Sequence, residues 1–350
     1  MRQYLIYIFL VVISLFVQDN VHAGNPDRQG EAGANELLFN PWARSAGLHS
    51  MNTSSIMGVE AMRLNIAGLG RVVGTEILVA NTRLYQGTDI QLNAFGFAKK
   101  MGENSSFGIV LNSVDFGEIP ITTTSQPEGT GGFFSPNFFN IGLGYSYVYE
   151  NKISVGILVR GISESLTTVS AFGLAIDAGV QYVTGEDDNF KLGISLRNIG
   201  PPMKFGGEGL SFEVDNPSSS TEFKITFDAR PQQFELPSVL NIGTSYDFLP
   251  TEDIKVRVLG NFTANSFSRD EIGGGIEFFF RDFIILRAAY KTEVNQAVRA
   301  ERDVYTGLSA GFSLYVPVKK LNERKVGIDY AYRATDPFNG THNFSLRLNL

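Results

Sequence analysis

A one-for-one alternation of apolar with small or polar residues constrains this chain more than any other feature. It begins near residue 74 and runs with few breaks to Leu350. Ile141, Leu143, Tyr145, Tyr147 and Tyr149 interleave with Asn140, Gly142, Gly144, Ser146 and Val148. Phe172, Leu174, Ile176, Ala178, Val180 and Tyr182 interleave with Gly173, Ala175, Asp177, Gly179 and Gln181. The end reads the same way, with Phe344, Leu346, Leu348 and Leu350 against Asn343, Ser345, Arg347 and Asn349. Successive side chains of a strand point to opposite faces, so each stretch predicts a strand with one apolar and one small or polar face.

A soluble sandwich alternates in the same manner, and further features favour a membrane barrel. The alternating stretches are long enough for the roughly 9–11 residues that a tilted spanning strand needs. Their second face is Gly, Ser and Asn with scattered charges such as Lys191, Arg197, Arg257 and Glu277, the lining of a wet lumen. Tyr145-Tyr147-Tyr149, Tyr246-Phe248 and Tyr330-Tyr332 gather at strand ends, where an interfacial girdle sits. The pattern predicts an all-β, antiparallel transmembrane barrel of about 14 strands over 74–350. Tight turns at Glu150-Asn151, Gly185 to Asn189, Leu249 to Glu252 and Arg281-Asp282 alternate with longer segments at 116–137, 200–234, 292–303 and 334–340. Short periplasmic turns and long external loops produce that parity. Counting Thr221–Ala229 as a wall strand would break it, so that stretch is expected inside the 200–234 loop as a hairpin.

The N-terminus predicts export. Met1-Arg2-Gln3 carries one positive charge, Tyr4 to Val17 is apolar apart from Ser14, and Val21-His22-Ala23 suits cleavage before Gly24. This is the order of a secretory signal over 1–23, and its apolar core is shorter than the roughly 20 residues of a spanning helix. Residues 24–73 lack the alternation and carry Asn25-Pro26 and Asn40-Pro41 punctuation. A segment too short for a separate domain, placed before the first strand, is expected to plug the barrel. The chain has no cysteine, which excludes disulfides and thiolate chemistry. Its formal net charge of −7 argues against a nucleic-acid partner.

Gly30 to Leu38 (Gly-Glu-Ala-Gly-Ala-Asn-Glu-Leu-Leu) and Pro41 to Gly47 (Pro-Trp-Ala-Arg-Ser-Ala-Gly) resemble the N-terminal motif of the PorV/PorQ family, within the larger FadL-like group of outer-membrane barrels. Asn65-Ile66-Ala67-Gly68-Leu69 is similar to the Asn-Pro-Ala-Gly-Leu plug motif, with Ile in place of Pro. Similarities continue through Asp177-Ala178-Gly179, Gly193 to Pro201, Leu236-Pro237, Ile242 to Tyr246, Gly307 to Gly311 and Ile328 to Tyr332. His342 to Leu346 looks like the family's last strand, although Leu350 replaces its usual terminal aromatic. The resemblance implies a fourteen-stranded, plugged barrel in the outer membrane of Bacteroidota. It implies a part in type IX secretion, with the translocon, or cargo bearing C-terminal signal domains, as partner. FadL relatives instead pass hydrophobic small molecules, which is the alternative expectation.

Within this frame Asn65, Ala67 and Gly68 are expected to be structural plug residues. Phe133 and Phe134 in one long loop, and Pro201, Pro202, Met203 and Phe205 in the other, are candidates for partner contact, since exposed apolar patches mark binding surfaces. The opposite outcome is that these loops fold back over the mouth. No enzyme is expected: the mature chain keeps only His49 and His342, neither beside a suitable nucleophile or carboxylate. Gly206 to Gly209 and Gly273 to Gly275 lack the strand-to-helix context of a phosphate cradle, and Glu186-Asp187-Asp188 reads as a solvated turn rather than a calcium site. Neither cofactor nor metal is expected, and outer-membrane lipid surrounds the wall.

Overall fold

The computed structural model describes residues 28–215, 223–281, 283–294, 303–317 and 325–350; the predicted signal 1–23 and Asp282 lie outside it. Fourteen strands close into one antiparallel barrel. The wall opens with β1 (Thr75–Arg83), β2 (Gln91–Met101) and β3 (Ser105–Asp115). A two-residue pair, β4 (Ile119–Pro120) with β5 (Phe133–Phe134), stands apart in the next loop. The wall resumes with β6 (Asn137–Tyr149), β7 (Ile153–Leu166), β8 (Val169–Thr184) and β9 (Phe190–Ile199). A separate hairpin follows, β10 (Ser211–Asp215) with β11 (Lys224–Asp228). The remaining wall strands are β12 (Val239–Thr251), β13 (Ile254–Asn265), β14 (Glu271–Phe280), β15 (Ile284–Glu293), β16 (Tyr305–Pro317), β17 (Lys325–Thr335) and β18 (Thr341–Asn349). Of the stretch expected as a loop hairpin, Thr221–Ala229, the first two residues lie outside the described residues and Lys224–Asp228 is β11, outside the wall.

Ring closure is direct. β1 pairs with β18 from Glu76 opposite Asn349 to Arg83 opposite His342, so the wall has no unpaired edge. Only helices and closed barrels satisfy every backbone group in hydrocarbon. The outward residues form the belt that such a solvent needs: Ile141, Leu143, Leu174, Ile176, Ile194, Ile242, Ile276, Leu286, Leu314 and Leu346 are all exposed. Tyr145, Tyr147, Tyr149, Tyr182, Tyr246 and Phe248 are exposed near the short-turn end of their strands, as an aromatic girdle would be.

Connection lengths separate the two rims. Short turns (102–104, 150–152, 185–189, 252–253) lie at one, and longer loops (84–90, 116–136, 200–238, 336–340) at the other. The β7–β8 turn departs from this parity, being tight at the long-loop rim. There the 200–238 loop covers it: Ser170 N donates to Gly206 O at 2.8 Å, and Gly206 N donates back to Ser170 O at 2.8 Å.

The lumen is filled by the segment before β1. At the long-loop rim Arg28 pairs with Glu235 and lies 4.3 Å from the centre of the Phe267 ring. At the short-turn rim Lys100 Nζ donates to Gly70 O at 3.0 Å, and Arg71 reaches Lys152 O at 3.3 Å. The chain thus threads the barrel from one rim to the other. Its helical turns are brief: 3-10 at Asn35–Leu38, Gly58–Glu60 and Ile66–Arg71, α at Ala43–Ala46 and Ala61–Leu64. One side of the plug is apolar. Trp42, Val59, Met62, Ile66 and Leu69 pack on Leu78, Ala80, Ala94, Ala98, Val110 and Leu158 of β1, β2, β3 and β7. Each large side chain buried there contributes about 2 kcal/mol. This greasy stretch of inner wall was not anticipated from strands whose inward residues are Gly, Ser, Asn and charges.

Candidate functional site

Asn65 pins the middle of the plug. Its Nδ2 donates to Thr53 O at 3.0 Å and to Val180 O of β8 at 3.1 Å, while its Oδ1 caps the next turn by accepting from Ala67 N at 3.2 Å. Ser146 of β6 donates to Ala67 O at 3.0 Å. Gly68 is packed so closely on the Ile56 carbonyl that a Cβ would collide with it, and Gly179 of β8 gives the same clearance to Asn65. The three motif residues come together as one buried joint between plug and wall. Gly273 and Gly275 likewise face Met51 and Leu48 of the plug.

Elsewhere the lumen is charged. Arg257 of β13 lies 2.5 and 2.8 Å from the carboxylate oxygens of Asp247 and 3.3 Å from Glu277, which Arg287 meets at 3.2 Å. Lys191 completes the row 2.6 Å from Asp247. Arg347 of β18 joins Glu76 of β1 to Glu60 of the plug, with Asp329 3.5 Å away. Arg160 reaches Asp177 at 2.9 Å and also donates to Met62 O of the plug at 3.3 Å. These charges arise from the inward parity of the strands: the same alternation that greases the outside brings Arg and Asp inside. They are paired, as buried charges must be.

Above this packed region, at the long-loop rim, a vestibule of about 300 Å³ remains between plug and wall. Arg63, Arg197 and Arg333 line it together with Leu38, Phe39 and Leu64. Arg63 Nε donates to Phe39 O at 2.7 Å, and Arg197 Nη2 to Leu37 O at 3.2 Å. Arg333 is 4% exposed, sits 4.4 Å over the Tyr305 ring, and has no hydrogen-bond partner for Nε or Nη2 among the described residues. Glu271, Glu293 and Asp303 also border the vestibule, with Lys291 2.8 Å from Glu271. Those carboxylates, with His49, extend into an adjoining cavity of about 220 Å³ that the three arginines do not line. Strand parity predicts Arg197 in the lumen; Arg63 and Arg333 carry no signal in the sequence beyond residue type and, for Arg333, strand parity. A separate apolar recess of about 560 Å³ lies on the outer wall, among Val79, Phe95, Leu111, Phe139 and Phe344.

The loop candidates divide. Phe133 is 58% exposed, and Pro201 and Pro202 are exposed. Phe134 is half-buried in the β4–β5 pair. Met203 is buried and Phe205 half-buried, both packed on Leu37, Ile162, Ala171 and Leu236 with Phe234. Of the four candidates in the second loop, Met203 and Phe205 are thus inward anchors rather than exposed contacts: the loop folds back because its apolar side chains find the plug's rim.

His49 is buried in the plug with Nε2 unpartnered, and His342 Nδ1 is 2.9 Å from the Tyr330 hydroxyl. In the 185–189 turn, Lys152 lies 2.7 Å from Asp188 and holds its carboxyl below the usual range. The positive charge there is a lysine. Among the described residues no group of His, Asp and Glu has the arrangement of a metal site.

No family model and no curated protein matches the chain. Solved structures do match its fold. The CymD monoaromatic hydrocarbon channel superposes with a TM-score of 0.57 at 13% identity, over 88% of this chain and 96% of that one. The Ralstonia pickettii toluene transporter TbuX gives 0.54 at 12%, over 89% and 97%. A Pseudomonas aeruginosa FadL homologue gives 0.52 at 11%, over 88% and 97%. At such identities the likeness concerns architecture: this chain has the fold of the FadL-like channels, a closed fourteen-stranded antiparallel barrel with a helical segment in its lumen.

Proposed function

We propose that the protein is an outer-membrane channel that takes small amphiphilic molecules, an apolar body bearing an anionic group, into the vestibule at its long-loop rim. The observation that carries this reading is Arg333, buried and with two guanidinium nitrogens unpartnered, lining one cavity with Arg63 and Arg197. Buried guanidinium nitrogens without a hydrogen-bond acceptor are costly and mark a place for an anion. Leu38, Phe39 and Leu64 supply an apolar contact in the same cavity. The hydrocarbon channels that share the fold agree with the alternative drawn from the sequence, small-molecule passage, more than with secretion.

Calorimetric titration of the detergent-solubilised protein with decanoate, decanol and decyltrimethylammonium tests it. Decanoate is expected to bind, decanol weakly, and Arg333→Met to weaken decanoate by about tenfold, the scale of one charge-assisted hydrogen bond. Equal affinity for decanoate and decanol, or no effect of the substitution, overturns the reading.

A second reading, contact with the type IX translocon or with the C-terminal signal domains of cargo, is favoured by the exposure of Phe133, Pro201 and Pro202 on the long-loop rim. Affinity capture from mild detergent with mass spectrometry distinguishes it. Co-purification of proteins sharing one C-terminal β-domain, lost with Phe133→Ser, supports secretion; a bare barrel removes it.

A further inference from the structure

The β10–β11 hairpin leaves the barrel at the long-loop rim, and among the described residues none of its apolar side chains joins a buried cluster. Its register places Phe212 opposite Phe227 and Val214 opposite Ile225. With Phe223 these side chains share one face, while Glu213, Asp215, Lys224, Thr226 and Asp228 belong to the other. Phe212 and Phe227 stack with ring centres 6.0 Å apart, yet they are 53% and 47% exposed, and Val214 and Phe223 are exposed as well. The hairpin is thus amphipathic and its apolar face is bare. A lone two-stranded hairpin is marginal in water and needs its apolar face covered.

The root of the hairpin indicates what covers it. Leu210, Ser211, Asp228 and Pro231 line one open groove of about 840 Å³ with Phe172 of β8. Phe172 is the outward aromatic of β8 nearest the long-loop rim, followed along the lipid-facing row by Leu174 and Ile176, and is 68% exposed. The hairpin's base therefore adjoins the upper margin of the hydrocarbon belt, at the depth where interfacial aromatics sit. The backbone bridge between Ser170 and Gly206 fixes that base against the rim, and the bridge between Met203 and Phe234 ties the two arms of the loop together.

We infer that the β10–β11 hairpin is a membrane-contacting element, laid on the outer leaflet with Phe212, Val214, Phe223, Ile225 and Phe227 among lipid chains and Glu213 and Lys224 toward water. The surface it binds is lipid, continuous with the belt, and not the ligand of the vestibule. Burying four exposed apolar side chains in the leaflet gives the hairpin the cover that the protein itself does not provide. Lys224, 3.3 Å from Glu213, keeps the opposite face paired and hydrated.

The absence of cysteine in the chain makes the test direct. Val214→Cys and Glu213→Cys, on opposite faces, are each labelled with bimane in the full-length protein reconstituted into phosphatidylcholine vesicles, and folding is verified by heat-modifiable electrophoretic mobility. Spin-labelled acyl chains are expected to quench the label at 214 severalfold more strongly than at 213, and iodide the reverse. Phe212→Ser with Phe227→Ser is expected to abolish that difference while mobility stays unchanged. Equal quenching at both positions, or iodide access at 214 matching that at 213, overturns the inference. Shielding of position 214 that arises only when a second protein is added overturns it too, since the occupant is then a protein. Decanoate binding reads the vestibule independently of all these outcomes.

Discussion

At the residue scale the plug is held by single polar side chains rather than by regular structure. Its helices are four to six residues or shorter, well below the length at which an isolated helix is stable in water. Asn65 makes three hydrogen bonds from one carboxamide: two fix Thr53 and Val180, and the third caps the turn that carries Ala67 and Gly68. Asn65→Ala leaves two buried carbonyls and one amide without these partners, a loss of about 2 kcal/mol in plug stability. Hydrogen exchange is the measurement that isolates it. Amides of residues 53–70 are expected to exchange roughly thirtyfold faster, while those of β12–β15 stay protected, because local opening is governed by local free energy. Uniform loss of protection through the barrel would instead make Asn65 part of the wall's own stability.

At the element scale each strand has two readers. The outward face answers to lipid and the inward face to the plug, and only the first is periodic enough to be read from sequence alone. Alternation fixes strand identity because a one-residue slip would turn Leu174 inward and Asp177 outward. The fourteen wall strands and the β11 excursion were legible for that reason. The plug was legible as a non-alternating segment, but its contacts were not. Arg347 is inward by parity, yet nothing local tells that Glu60, 287 positions earlier, is its partner. The apolar half of the lumen was missed on the same grounds: Leu78, Ala80 and Ala94 are hydrophobic at inward positions because Trp42 and Val59 lie against them. For Met203 the sequence leaves partner contact and fold-back over the mouth both open, since a loop's apolar side chain looks the same in sequence whether it faces out or folds in; the structure has it folded in.

The Arg347 junction yields a prediction at this scale, because it ties the two closing strands to the plug. Arg347→Met would leave Glu60, Glu76 and Asp329 as buried carboxylates short of their shared cation, a cost of about 3–5 kcal/mol. Thermal unfolding followed by heat-modifiable mobility is expected to shift down clearly, and proteolysis within the plug to precede it. Adding Glu60→Gln to that variant removes one orphaned charge and is expected to restore part of the loss. If the double variant is no more stable than Arg347→Met, the junction is not the electrostatic lock described here.

At the scale of the whole molecule, wall and plug have separable duties. The backbone ladder between β1 and β18 closes the ring by itself, and much of the charge on the inner wall is paired within the wall, as in the Arg257, Asp247, Glu277 and Arg287 row. The plug in turn fills the lumen below the vestibule, from Trp42 to Arg71, with its apolar side against the β1–β3 wall. Deleting residues 28–72 is therefore expected to leave an assembled barrel and to open it to water. In planar bilayers the full-length protein should show little conductance, and the deletion variant stable single-channel steps larger by about tenfold or more, as an unplugged lumen of this class admits. Because both signs of charge alternate around the exposed wall, the open pore should be only weakly selective between cations and anions. A salt gradient reads this as a reversal potential near zero. Conductance of the intact protein equal to that of the deletion variant would mean that ions already pass beside the plug, and the vestibule would then be the entrance of an open path rather than the antechamber of a closed one.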